Sequence, residues 1–325
     1  MAVADQIPLQ SGFQANSTAS EVLADLDLRG KTAIVTGGYS GIGLETVRAL
    51  TNKGAAVIVP VRSEAKAQKA LSSLSGNIKT LPMDLADLSS VRRFANVING
   101  ELNQLDLLIN NAGIMACPEA RVGPGWESQF GICHMGHFAL TTELLPLLKN
   151  TTNTRVIALT STAHKMSDIL WDDIHFEKTN YDKWRAYGQA KTACALFANG
   201  LSRRLKDTGG LAFSVHPGNI LTHLQRHLSK EEMIAIGWLD EKGELKDPSK
   251  IGFKTPEAGA STTLWAATSQ LLDGKPGVYC EDSDIAEVTD PNSPMARFVG
   301  VDPHACNDEA SEVLWSLSDS FLKAA

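Results

Sequence analysis

A glycine-rich stretch, Thr36-Gly37-Gly38-Tyr39-Ser40-Gly41-Ile42-Gly43, lies between an apolar run, Thr32-Ala33-Ile34-Val35, and a helical pattern from Leu44 to Lys53 that Gly54 closes. Strand, glycine turn and helix in this order leave few folds open. Glycines let the backbone turn tightly and approach a ligand closely. A helix N-terminus adds free N–H groups and the positive end of a dipole, and both features suit a pyrophosphate. The spacing is T-G-x-x-x-G-x-G, with Gly37, Gly41 and Gly43, rather than the commoner G-x-G-x-x-G.

The chain keeps this rhythm. Apolar runs at about 56–61, 78–83, 105–109, 155–160 and 211–215 alternate with helical patterns at about 63–74, 88–100, 126–148 and 185–206. The runs are continuous rather than alternating, as in parallel strands buried on both faces. The pattern predicts an α/β fold: a Rossmann-type doubly wound parallel sheet in a single domain spanning residues 28–325. Ligands in such sheets sit at the carboxyl ends of the strands. Gly37, Arg62, Asp84, Asn110, Ser161 and Pro217 fall there. Residues 1–27 read as an N-terminal extension, loose over the polar stretch Gln10 to Ser20, with Ser20 to Ala24 suited to a short helix that packs on the domain. Residues 221–255, irregular and carrying Gly237, Gly243 and Pro248, read as an insertion after strand 6 that covers a substrate. A helix at about 256–269, a short strand at 277–280 and a helical tail at 309–322 complete the chain.

Composition narrows the function. With 325 residues, 43% hydrophobic and 21% charged, the chain suits one large globular domain. A net charge of -7 without a basic block argues against nucleic acid. Five dispersed cysteines without a C-x-x-C pair read as free thiols in a reducing, cytoplasmic setting, with no metal site. No run approaches the ~20 apolar residues of a membrane span, and no basic, then apolar N-terminal signal is present.

Tyr187 and Lys191, four apart at the start of a helical pattern, share one helix face. A nearby ammonium favours ionised tyrosine and lowers a phenol pKa from its usual ~10. A phenol so tuned exchanges a proton with an alcohol or carbonyl. Ser161, at a strand end, is placed to hydrogen-bond the same oxygen.

Taken together, Thr36-Gly37…Gly41-Ile42-Gly43, Asp84-Leu85, Asn110-Asn111-Ala112-Gly113, Ser161, Tyr187…Lys191 and Pro217-Gly218…Thr222 resemble the short-chain dehydrogenase/reductase family over residues 28–220. Cys133 to Phe138, Ser161 to His164 and Arg185 to Lys191 look like its retinol dehydrogenase-like branch. The resemblance implies Tyr187 as general acid/base, Lys191 as the residue that tunes it and holds the nicotinamide ribose, and Ser161 as the group that orients the substrate carbonyl. It implies cofactor contacts at Gly37, Tyr39, Ser40, Gly41, Ile42, Gly43, Arg62, Asp84, Leu85, Asn110, Ala112, Gly113, Tyr187, Lys191, Pro217, Gly218, Ile220 and Thr222. One position departs from the family. Its usual helix asparagine, thought to hold a water in a proton relay from the lysine, aligns with Cys133. A thiol is a weak donor and acceptor, and Cys133 reads as core. His134 and His137 beside it read as structural.

NAD enzymes place a carboxylate at the end of strand 2. Here Arg62 stands there, with Glu64 past the strand, which predicts NADP(H) over NAD(H). The expected activity is hydride exchange between NADP(H) and a partly apolar carbonyl or alcohol. Two alternatives stay open: an NADP(H)-binding regulator or scaffold with reduced activity, and a reductase of activated C=C bonds. Small residues at Gly188, Ala190, Ala193 and Ala195 would allow a homo-oligomer through the catalytic helix, and the 221–255 insertion would oppose one.

Overall fold

The computed structural model describes residues 3–325. Eight strands form one sheet: β1 (Thr32–Val35), β2 (Ala56–Val61), β3 (Ile78–Pro82), β4 (Leu107–Asn110), β5 (Arg155–Leu159), β6 (Leu211–His216), β7 (Tyr279–Glu281) and β8 (Asp284–Ile285). Their order across the sheet is β3-β2-β1-β4-β5-β6-β7-β8. β1 to β7 are parallel, and β8 turns back antiparallel on β7. The strand order reverses between β1 and β4, which opens a crevice at their carboxyl ends. The antiparallel β8 was not expected; a two-residue strand has no periodicity to detect.

Side chains from the strands alternate between two cores, so both faces need apolar residues. Ala33, Val35, Val57 and Val59 pack with α1 (Gly41–Asn52), α2 (Glu64–Leu71) and α6 (Pro256–Thr268). Ile34 and Ile58 pack on the opposite face with α3 (Leu88–Glu101), α4, α5 (Lys183–Leu205) and α7 (Asp308–Ala324). The α4 element is not one regular helix. It is α-helical over Ser128–Phe130, widens to a π-helix over Gly131–Met135, and resumes as α-helix over Gly136–Glu143. A separate helix, Leu145–Asn150, begins with a proline in its first turn, which divides the single helix expected at 126–148.

The extension is anchored to the domain from its start, and Ser11, inside the stretch expected to be loose, is held as well. The Gln6 amide donates to the Tyr279 and Ala286 carbonyls and accepts from the Tyr279 N–H, all buried. The N–H groups of Leu9 and Ser11 donate to the Asp284 carboxylate. A helix at Ala19–Val22 starts with a Thr18/Glu21 capping box and buries Ala19, with Leu23 buried just after it, in the core beside α6. The extension thus wraps the β7–β8 edge and shields edge strands whose backbone groups would otherwise stay exposed.

The small residues of α5 are also used within the chain. Ala190, Ala193 and Ala195 are buried, and a methyl group on Gly188 would lie 2.8 Å from the Ala163 carbonyl oxygen. α7 covers α5 through Trp315 stacked on Phe197 and through Arg203 and Arg204, which pair with Glu312. Ala190 packs with Cys133 and Cys194, Ala195 with Tyr279 and Ala286, and Ala193 in the core that α7 joins. No described helix is long and apolar enough to cross a membrane.

Candidate active site

The carboxyl ends of β1 to β6 open into one cleft of about 800 Å³. Its first wall is the glycine turn. Gly37 and Gly41 adopt positive φ (66° and 52°), the left-handed region that glycine tolerates. A Cβ on Gly43 would lie 2.4 Å from the Gly37 carbonyl oxygen, so only glycine lets α1 start so close to β1. Ser40 precedes α1 but makes no side-chain cap, which leaves the first N–H groups of the helix without a side-chain acceptor. This is a cradle for an anion: its floor is too tight for side chains and its donors are open.

Thr36 fixes the turn to β4. Its hydroxyl accepts the N–H groups of Asn111 and Ala112, each at 2.9 Å, and pairs with His137 Nε2 at 2.8 Å. His137 Nδ1 lies 3.0 Å from the Cys133 carbonyl, which can only accept, so the proton is on Nδ1 and Nε2 accepts from Thr36. Burial drives the His137 pKa down to about 4, in keeping with a neutral ring. His134 is likewise neutral. It is buried among Phe130, Phe138 and Phe197, pushed down to about 3 by burial, and paired with Ser318.

Every expected site residue lines the cleft except Asn110. Asn110 is buried behind the wall, where its amide donates to Thr141. The next residue, Asn111, faces the cleft and donates to the Thr36 carbonyl at 2.7 Å. One residue along a strand moves a side chain to the other face, which accounts for the shift. Several lining residues were not anticipated: Lys66, Met115, Met166, Trp184, Arg226, Trp238 and Phe253. Lys66 had a signal, being four residues after Arg62 in a helix that starts at Glu64. Glu64 itself lies outside the cleft and accepts from Thr80 at 2.7 Å.

Ser161, Tyr187 and Lys191 meet in the middle of the cleft. Asp182 caps α5 through the N–H groups of Trp184 and Arg185, which sets the helix phase that turns Tyr187 and Lys191 inward. Both side chains are buried, and the Lys191 ammonium lies 5.6 Å from the Tyr187 ring centre. Lys191 Nζ donates to the Leu159 carbonyl at 3.0 Å. Ser161 lies just past β5, accepts the Ala163 N–H and is close enough to the Tyr187 phenol to pull its pKa down. Its backbone is held in turn by His164, whose Nδ1–H donates to the Ser161 carbonyl at 2.7 Å while Nε2 accepts the Asp302 N–H.

The phenol does not behave as the sequence suggests. Burial raises the Tyr187 pKa, and Lys191 and Ser161 pull it down without reversing that rise. For Lys191, burial disfavours the charge and the Tyr187 phenol, once ionised, favours it, with the net direction upward, so the ammonium is kept. Cys133 sits beside this pair. A Cβ on Gly113 would be 3.5 Å from Cys133 Sγ and 3.8 Å from Lys191 Nζ. The thiol donates to the Ile114 carbonyl, and burial raises its pKa, so it is a neutral thiol packed with Ile114, Cys117, Ala190 and Cys194.

A cleft of this kind, with an anion cradle at the first βα turn and a tyrosine–lysine pair across from it, defines a dinucleotide-dependent oxidoreductase. The short chain dehydrogenase profile matches residues 31–233, and the chain belongs to the short-chain dehydrogenase/reductase family, in its retinol dehydrogenase-like branch. It is 40% identical over 304 residues to a probable oxidoreductase of Streptomyces lividans, covering 92% of this chain and 100% of the relative. It is 34% identical over 303 residues to human retinol dehydrogenase 12, covering 92% and 88%. Among solved structures, an uncharacterised protein of Mycobacterium paratuberculosis superimposes with a TM-score of 0.71 at 33% identity, covering 95% of this chain and 98% of that one. The RhlG/NADP active-site complex of Pseudomonas aeruginosa does so at 0.58 and 25% identity, covering 78% and 95%.

Proposed function

We propose that the protein is an NADP(H)-dependent oxidoreductase that interconverts a carbonyl and an alcohol on a partly apolar substrate. The observation that carries this reading is one continuous cleft with Arg62 and Lys66 at one end and Ser161, Tyr187 and Lys191 at its centre. Bound nicotinamide would supply or accept the hydride. The chain's own residues do the rest. The glycine turn and α1 hold the pyrophosphate. Arg62 and Lys66 meet a 2′-phosphate, for which guanidinium and ammonium groups are the matching charges. A relative in fold, the RhlG protein, is described as an NADP complex. Ser161 donates to the substrate oxygen. Tyr187 gives that oxygen its proton in reduction and takes it back in oxidation, and the Lys191 ammonium stabilises the phenolate left behind. Met115, Met166, Trp184 and Phe253 supply an apolar wall for the substrate body.

The test is Tyr187→Phe. It should lower kcat by a factor of at least ~100, the low end of what general acid–base catalysis contributes, while NADPH still quenches or enhances fluorescence as in wild type. Full turnover by that variant would refute the assignment.

A further inference from the structure

The substrate half of the cleft carries one cation that the proposed reaction does not use. Arg226 lies in the turn His223–His227, within the segment after β6, and lines the same cleft as Tyr187. Its guanidinium donates to the His223 carbonyl, one residue-local bond for a group with five donors. No carboxylate pairs with it among the described residues. Cys117, a buried thiol two residues past Met115, and His227 are among the groups near enough to feel its charge. The only carboxylate lining the cleft among the described residues is Asp84, at the end of β3. Arg226 is exposed, and the cleft it lines carries apolar Met115, Leu224, Trp238 and Trp184 together with His223 and Gln225 of its own turn.

An arginine on a partly apolar wall, facing a ligand space and lacking an acidic partner, is a built receptor for an anion. Its planar fork matches a carboxylate with two parallel bonds. We infer that the natural substrate is an oxo acid or hydroxy acid, with an apolar body between the reacting carbon at Tyr187 and a carboxylate held by Arg226. This deepens the proposed function and rests on it. The carbonyl end enters toward Ser161 and Tyr187, and the carboxylate stays at the mouth, where the 223–227 turn closes over it.

Matched pairs test this: para-formylbenzoate and ω-oxo fatty acids, each as the free acid and as the methyl ester, with the full-length protein and NADPH. The acids should show KM values roughly tenfold or more below their esters, the scale of one charge-assisted pair. Arg226→Gln should bring the acid/ester ratio close to one, and Arg226→Lys should restore part of it. Esters used as well as acids by wild type would overturn the inference. So would a loss of NADPH affinity in Arg226→Gln that matches its loss of acid affinity, because the arginine would then serve the cofactor. Calorimetric titration of the same acids and esters into Tyr187→Phe with NADP⁺ bound separates the two readings. Absence of turnover with acid binding that Arg226→Gln weakens sinks the reductase and keeps the anion site. Acids that bind no tighter than esters sink the anion site whatever the turnover.

Discussion

Removing the two cations at the adenosine end, in Arg62→Ala/Lys66→Ala, tests the cofactor choice directly. Arg62 follows β2 and Lys66 lies one helical turn on, and both line the cleft beside Tyr39 and Ser40. The competing carboxylate, Glu64, is held away by Thr80 and by Gln68 of its own helix. A 2′-phosphate would therefore meet two positive groups and no negative one. Both cations are exposed, so water and salt screen them, and each contact sits at the low end for a charge-assisted bond. That is roughly tenfold per cation and ~100-fold for the pair. The assay is kcat/KM for NADPH and for NADH with one aldehyde, at low salt and at about 0.5 M, where the Debye length shrinks well below its ~10 Å at 0.1 M. The double variant should lose about two orders of magnitude with NADPH and little with NADH, and salt should erode the wild-type preference. Equal losses with both cofactors, or a wild type that favours NADH, would refute the reasoning.

Three further outcomes follow from the geometry. Gly43→Ala puts a methyl group 2.4 Å from the Gly37 carbonyl and 2.5 Å from the Asn111 amide nitrogen. The turn must shift, and NADPH affinity measured by fluorescence should fall at least ~10-fold, in line with the ~1–3 kcal/mol of overpacking. Acid should destabilise the fold early. His134, His137, His164 and His216 are buried with pKa values driven down by burial to about 3, 4, 4 and 3, so the unfolded chain binds protons first. Their stabilising effect is whole above pH ~6.5 and is lost as pH falls toward those folded values, at up to ~1.4 kcal/mol per pH unit for each ring. Urea midpoints at pH 7 and pH 5 check this, and equal midpoints would contradict it. Finally, Cys133→Asn should leave kcat at or below wild type, and a several-fold rise would show that a side-chain relay had been missing.

The strands were legible because helices cover the sheet on both sides, so each strand had to be an apolar run; β2 was read to the residue. The anchoring of the N-terminal extension was not legible because polar residues look solvated. Gln6 and Asp284 instead spend their polar groups on each other's backbone neighbourhood, a pairing over more than 270 positions that no local pattern carries. The capping box Thr18-x-x-Glu21 was the one local signal available. The π turn in α4 was hidden because it keeps helical residue types and alters only the hydrogen-bond partner. In the site, glycines, Ser161, Tyr187 and Lys191 were legible through their spacing. Arg226 was not, because a surface arginine in an irregular segment becomes part of a site only when the chain folds it over the cleft.

At the unusual helix position, residue 133 ties its surroundings together through its backbone. The Cys133 carbonyl accepts His137 Nδ1–H at 3.0 Å and Cys194 Sγ–H at 3.3 Å. Through His137 it is tied to Thr36, and through Thr36 to the N–H groups of Asn111 and Ala112. One chain of hydrogen bonds thus joins the glycine turn, the end of β4, α4 and α5. The thiol at 133 donates to the Ile114 carbonyl and offers no strongly polar side chain to hold a water. The charge beside Tyr187 does not depend on that water. Lys191 is fixed by the Leu159 carbonyl and by its place on α5, and its other N–H groups face the cleft. On the proposed function, the exchange at 133 changes a side chain and leaves in place the backbone bonds of the site and the ammonium that would steady the phenolate.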